Sequence, residues 1–212
     1  MTNHSIEKTF CTTKEAADLL GVSVGTIQIW AEQGLLAAWK TVGGHRRIMR
    51  ESVQKLLRLQ PVMAPAPLSL SDISAPDAPT RRLRVLVIDD EPDLLRLYKA
   101  KMAKWAIAPQ VNACLSAVTG LIRIGYTQPD LLILDLQMAD MDGFELLRVL
   151  VKMPEIKKTN IVVITGLDAF AVAEKGGVPA GVEVMPKPIP FERLQDIATR
   201  IVDEKHLSGC AV

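Results

Sequence analysis

Between residues 83 and 206 the chain repeats one alternation five times: a short apolar run rich in β-branched residues, then an amphipathic stretch long enough for a helix. The runs are Leu83 to Ile88, Val111 to Ala113, Leu131 to Leu134, Ile161 to Ile164 and Val182 to Met185. Helical stretches follow at Pro92 to Trp105, Ser116 to Ile124, Gly143 to Val151, Ala169 to Lys175 and Pro190 to Asp203. Continuous apolar runs suit strands covered on both faces, so the spacing predicts a (βα)5 doubly wound α/β domain with a parallel sheet. In such sheets the functional groups gather beyond the carboxyl ends of the strands.

Asp89 and Asp90 stand after the first run, Asp135 after the third, Thr165 after the fourth and Lys187 after the fifth. Three carboxylates are expected to converge. Each like pair within 4 Å costs about 4 kcal/mol at an effective dielectric of 20, so a cation is needed or one proton is retained. Oxygen-only ligation suits Mg2+, which takes one or two carboxylates together with phosphate oxygens. Lys187 and Thr165 complete a pocket for phosphoryl transfer, with Asp135 as nucleophile and catalytic group. No GxGxxG or GKS/T loop is present, so nucleotide binding by those routes is unsupported. A phosphatase of the haloacid-dehalogenase kind needs a second Asp two residues after the nucleophile, and Gln137 stands there.

Ahead of this domain, residues 60–80 hold five prolines and no Lys, Arg or aromatic residue. Proline fixes φ and removes donors, so this stretch reads as a semi-extended linker between a domain at 9–59 and one at 81–206. Charge divides at the same place. Residues 1–60 carry a net +3 and residues 81–212 a net zero, and Trp39 to Arg58 alone carries +5.

The small N-terminal domain opens on Thr12-Thr13-Lys14-Glu15, a capping box, followed by a short helix with Ala16, Ala17, Leu19 and Leu20 on its apolar side. Gly21-Val22-Ser23 turns the chain into a second helix, Val24 to Gln33, with Ile27, Trp30 and Ala31 inward and Thr26 and Gln28 outward. Leu35 to Thr41 and Arg46 to Met49 form a hairpin through Val42-Gly43-Gly44-His45, presenting Lys40, Thr41, His45, Arg46 and Arg47 beside that helix. A last helix, Arg50 to Leu59, closes the core with Val53, Leu56 and Leu57. Two helices, a glycine turn and a basic hairpin in this order point to major-groove recognition of DNA.

The segment TTKEAADLLGVSVGTIQIWAEQGLLAAWKTVGGHRRI resembles the winged helix-turn-helix of MerR-type and excisionase-type proteins. The resemblance implies that Thr26 and Gln28 enter a groove and that Trp39, Lys40, Thr41, His45, Arg46 and Arg47 are wing contacts. The long dimerisation helix of MerR proteins is replaced here by prolines. VLVIDDEPDLLRL, LLILDLQMADMDGFELL, IVVITG and VMPKPI resemble the receiver domains of two-component response regulators, with Asp135 separated from Thr165 by 30 residues and from Lys187 by 52. That resemblance implies that Asp135 is the phosphoacceptor of a sensor histidine kinase or phosphotransfer protein. It also implies that Asp90 binds Mg2+ directly, Asp89 through water and Gln137 through its carbonyl, and that Lys187-Pro188 is cis. Val184 stands where the family usually has Tyr or Phe, and valine has no large ring to swing inward when Thr165 moves.

The expectation is therefore a phosphorylation-controlled, DNA-binding transcriptional regulator, not an enzyme in the ordinary sense. Its partners would be DNA, a kinase or phosphotransfer protein and a second copy through the receiver. The alternative is a phosphorylation-dependent adaptor whose first domain docks protein. Three scattered cysteines, Cys11, Cys114 and Cys210, and no apolar run near the roughly 18 residues needed to span a bilayer suggest a cytoplasmic chain with no membrane partner.

Overall fold

The computed structural model describes residues 9–63, 82–139 and 141–209. The chain divides into two compact units. Of the expected linker, residues 64–80 lie outside the described residues, as does Cys210.

In the first unit β1 (Phe10–Thr12) leads into α1 (Thr13–Leu20) through the capping box: Glu15 N–H donates to Thr12 Oγ1 at 3.1 Å and Thr12 N–H to the Glu15 carboxylate at 2.7 Å. Helix α1 ends on Gly21 at φ +68°, a left-handed conformation in which glycine carries no Cβ penalty. Ser23 then caps α2 (Val24–Glu32), its hydroxyl accepting from Thr26 N–H. Ala16, Ala17 and Leu20 are buried, but Leu19 is 46% exposed, because it falls outside the stripe those three define on a 3.6-residue period. Ile27 and Trp30 are buried as expected, and Ala31 only partly.

The hairpin consists of β2 (Ala38–Lys40) and β3 (Arg46–Met49), and β3 pairs antiparallel with both β1 and β2. Its turn closes with Thr41 N–H on the His45 carbonyl and Gly44 N–H on the Thr41 carbonyl, with Gly44 at φ +78°. β2 is shorter than the expected run because the N–H groups of Leu35 and Leu36 donate to the Trp30 carbonyl, winding those residues around the end of α2. Helix α3 (Arg50–Met63) runs past Leu59 and ends two residues beyond Pro61, so the first residues of the expected linker are helical. Val53 and Leu56 are buried, and Leu57 partly.

The second unit alternates β4 (Arg84–Ile88), α4 (Pro92–Met102), β5 (Gln110–Cys114), α5 (Ala117–Thr127), β6 (Leu131–Leu134), α6 (Gly143–Leu150), β7 (Asn160–Thr165), α7 (Ala169–Glu174), β8 (Glu183–Pro186) and α8 (Phe191–Gly209). The strands are all parallel in the order β5-β4-β6-β7-β8, as the apolar runs required. Val85, Val87, Ile133, Val162 and Ile164 bury one face against α4 and α8 through Leu95, Tyr98, Met102, Leu194 and Ile201. Leu86 and Ile88 turn to the other face, where α5 comes so close at Gly120 that an added Cβ would lie 2.3 Å from Ile88 Cδ1. The chain leaves β4 toward β5 on one side and returns to β6 on the other. The carboxyl ends of β4 and β6 therefore flank the switch point where such sheets place their sites.

The opposite ends of the strands are knotted by Asp130. Its buried carboxylate accepts from Arg84 N–H at 2.9 Å and the Arg84 guanidinium at 3.1 Å, and pairs with Lys205 at 2.6 Å. Burial works against the ionised form, but the Arg84 and Lys205 bonds outweigh it and hold the carboxyl below its ordinary value. A depressed carboxyl adds stability above its unfolded pKa and loses it as pH falls through the folded one. Asp130→Asn should thus cost about 2 kcal/mol at neutral pH, less than a fully buried pair because both cations are partly exposed. In urea denaturation the gap to wild type should close below about pH 4, and a gap independent of pH would show that the charge is not its source. Among the described residues no helix is long and apolar enough to cross a membrane.

Candidate functional site

Asp135 follows β6 directly. Its N–H donates to the Ile88 carbonyl at 3.0 Å, fastening it to the end of β4. Its carboxylate is buried, with Oδ1 accepting from Gln137 N–H at 3.0 Å and Oδ2 from the Lys187 ammonium at 2.7 Å. The same ammonium lies 3.5 Å from Asp89 Oδ2, while Asp89 Oδ1 accepts from Glu91 N–H. Lys187 is placed by β8: its N–H donates to the Thr165 carbonyl at 2.9 Å, and Thr165, fully buried, accepts from Leu167 N–H at its hydroxyl. The Lys187-Pro188 bond is cis.

Two carboxylates thus share one ammonium. The third expected carboxylate, Asp90, accepts at Oδ2 from Ala139 N–H at 2.8 Å, on the loop that follows Asp135. Among the described residues no three His, Cys, Asp or Glu side chains are grouped to hold a metal ion. Burial first, then the Asp135 charge, raise the Asp89 carboxyl above its ordinary value despite the Glu91 N–H and Lys187. Burial opposes the Lys187 ammonium as well, but its bond to Asp135 and the charges of Asp135 and Asp89 hold its pKa above the ordinary lysine value. Beside the ammonium, the donors that Asp89 and Asp135 offer are carboxylate oxygens, which is the donor chemistry Mg2+ takes.

The loop around Asp135 rests on Gly143. Asp142 caps α6 by accepting from Phe144 N–H at 2.9 Å, and Gly143 N–H donates to the Leu136 carbonyl at 3.2 Å. The Gln137 side chain is exposed, and its Oε1 would lie 3.0 Å from a Cβ placed on Gly166, just beyond Thr165. A cavity of about 500 Å3 opens beside this loop, lined by Leu136, Gln137, Met138, Met141, Leu167 and Lys175 among others.

In the first unit Gln28, Trp39, Lys40 and His45 are exposed and Thr41 and Arg47 partly so. Trp39 stacks edge-on against Phe10 of β1, a short strand whose contribution to this surface was not expected. Thr26 turns its hydroxyl to within 2.8 Å of that of the cap residue Ser23. Arg46 points its guanidinium at α2, donating to the Gln28 carbonyl at 2.8 Å and to Glu32 at 3.1 Å.

A strand-switch pocket holding Asp89, Asp135, Thr165 and Lys187 beyond a five-stranded parallel sheet defines a receiver-type α/β domain. The chain belongs to the response regulator receiver domain family, whose model matches residues 85–199, and a helix-turn-helix domain model matches residues 10–60. It is similar to the transcriptional regulatory protein BtsR of Escherichia coli (strain K12), 31% identical over 126 residues, covering 58% of this chain and 49% of BtsR. It is also similar to the response regulator PleD of Caulobacter vibrioides, 32% identical over 106 residues, covering 50% of this chain and 23% of PleD. The chain thus spans about half the length of BtsR and about a quarter of PleD. A sensor protein from Polaromonas sp. JS666 superimposes with a TM-score of 0.52 at 26% identity, over 58% of this chain and 98% of that one.

Proposed function

We propose that this chain is a phosphorylation-controlled DNA-binding response regulator that takes a phosphoryl group on Asp135 from a phosphohistidine of a sensor kinase or phosphotransfer protein. The observation that carries this reading is the Lys187 ammonium 2.7 Å from the Asp135 carboxylate at the switch point of the sheet. An Asp135 oxygen attacks phosphorus, the P–N bond breaks, and the imidazole leaves with the bonding electron pair, giving an acyl phosphate on the chain itself. Lys187 stays beside the new phosphoryl oxygens, and the Thr165 hydroxyl is the neutral donor at the end of the neighbouring strand. Each chain is consumed as the acceptor, so the transfer is not turnover in the enzymatic sense.

Asp89, Asp90, Asp135 and the Gln137 carbonyl are the groups that would hold Mg2+, Asp90 after releasing Ala139 N–H. The ion would supply positive charge against the phosphoryl oxygens. The helix-turn-helix domain, with Gln28, Trp39, Lys40, Thr41, His45 and Arg47 at its surface, is the DNA-binding half. BtsR, described as a transcriptional regulatory protein, supports that assignment. Phosphorylation would shift the receiver between two packings, with a second copy recruited through the receiver, in the cytoplasm.

The test uses the full chain and a mixed-sequence duplex at low salt, read by fluorescence anisotropy with and without a small phosphodonor and Mg2+. Wild type should bind, and its affinity should shift with the donor, while Asp135→Asn should bind without shifting. No duplex binding by either protein would favour an adaptor that docks protein. An equal shift in both would remove Asp135 from the signal.

A further inference from the structure

We propose that Arg46 is a positioning residue for DNA recognition, a strap that fixes the angle between the β2–β3 hairpin and helix α2, and is not itself a contact to the phosphate backbone. The proposal rests on the DNA-binding reading above. Three observations carry it. The guanidinium spends its planar fork inside the domain, Nη1 on the Gln28 carbonyl at 2.8 Å and Nη2 on Glu32 Oε1 at 3.1 Å, and the side chain is only 19% exposed. Gln28 and Glu32 lie one turn apart on α2, so a single rigid fork grips two successive levels of the helix, which a lysine ammonium does not match. Helix α2 also has no basic residue in its own last turn, and Arg46 brings a cation to the negative end of its dipole from the hairpin.

Between α2 and the hairpin lies a cleft of about 200 Å3, lined by Ala31, Ala38, Trp39, Lys40 and Arg46. The two alanines leave this side of the hairpin open, and the Arg46 fork spans it, adding to the buried Ile48 and Leu36 a polar tie to α2. The angle between the hairpin and α2 decides whether Gln28 on the helix and Lys40, His45 and Arg47 on the hairpin meet one duplex together, a preorganisation that is lost when the strap is cut. Arg47, the next residue along β3, projects to the opposite face of the strand and remains a candidate for the backbone.

The experiment measures affinity of the full chain for a mixed-sequence duplex across a salt series, with thermal melts as the check on folding. Arg46→Gln should weaken binding about tenfold while leaving the slope of log affinity against log salt unchanged. Arg46→Lys, which keeps the charge but not the fork, should be as weak. Arg47→Gln should instead flatten the slope by about 0.9, one phosphate contact. Glu32→Gln leaves Arg46 in place and removes a negative charge from the surface, yet should also weaken binding. If the Arg46 variants do not fold, Glu32→Gln decides the matter alone. The proposal is overturned if Arg46→Gln flattens the slope and Arg46→Lys restores wild-type affinity, or if Glu32→Gln tightens binding. Failure of the wild type to bind any duplex overturns the DNA reading itself, and the strap's role with it.

Discussion

Asp135→Asn is expected to abolish phosphoryl uptake. With a small phosphodonor and Mg2+, intact mass should show wild type gaining one phosphoryl group and the variant none. An amide is not a nucleophile at neutral pH, and Asp89, which shares the Lys187 ammonium, is already engaged by Glu91 N–H and that ammonium. Loss of folding is checked by thermal melts, because the substitution relieves the like charge felt by Asp89 but also removes the Lys187–Asp135 ion pair. The Asp135 charge is one of the causes that raise the Asp89 carboxyl, and a carboxyl raised in the folded state costs stability wherever it is ionised. The two effects oppose each other, so the variant should melt close to the wild-type temperature. Equal labelling of both proteins would refute Asp135 as acceptor, and a strongly lowered melting temperature would refute the electrostatic account of the cluster.

Gly143→Ala is expected to give the largest loss of stability. A Cβ there would lie 2.5 Å from Leu136 Cα, 2.7 Å from the Asp135 carbonyl oxygen and 2.8 Å from the Leu136 oxygen. All three are backbone atoms, so no rotamer change relieves the clash. Either α6 retreats or the segment carrying Asp135 shifts. Overpacking of this kind costs about 3 kcal/mol, and should appear as a lower urea midpoint at unchanged m. The remaining folded protein should also take up phosphoryl groups slowly, because displacement of a nucleophile by even a fraction of an ångström is costly in rate. Gly120→Ala is the contrast: its Cβ meets the movable end of Ile88, and about 1 kcal/mol is expected. Equal costs at the two positions would show that the Asp135 loop is not held against rigid backbone.

The parts of the molecule legible in the sequence are those with local causes. Unbroken apolar runs at Leu131 to Leu134 and Ile161 to Ile164 report burial on both faces, and the Thr12–Glu15 box and Ser23 report helix starts. Asp135, Thr165 and Lys187 were legible as a group because a parallel sheet brings all strand ends to one edge, and the structure brings Lys187 to Asp135. Side-chain direction was not legible. Asp90 takes its partner from the Ala139 backbone, 49 residues away, and Arg46 turns to α2 because of a Glu32 that only the tertiary fold brings near. The three-residue strand β1 was too short to show an alternation, and its place is set by pairing with β3. The Asp130 knot joins Arg84 and Lys205 from distant parts of the chain, with no local pattern to announce it.

The phosphoacceptor assignment is tested most directly by finding which side chain carries the phosphoryl group. After reaction with a phosphodonor and Mg2+, borohydride reduces an acyl phosphate to the alcohol, and peptide mass mapping then locates the resulting homoserine. Homoserine at position 135, in phosphodonor-treated wild type alone, is the predicted result. Homoserine at 89 or 90, or none anywhere in protein that has gained phosphate, would contradict it.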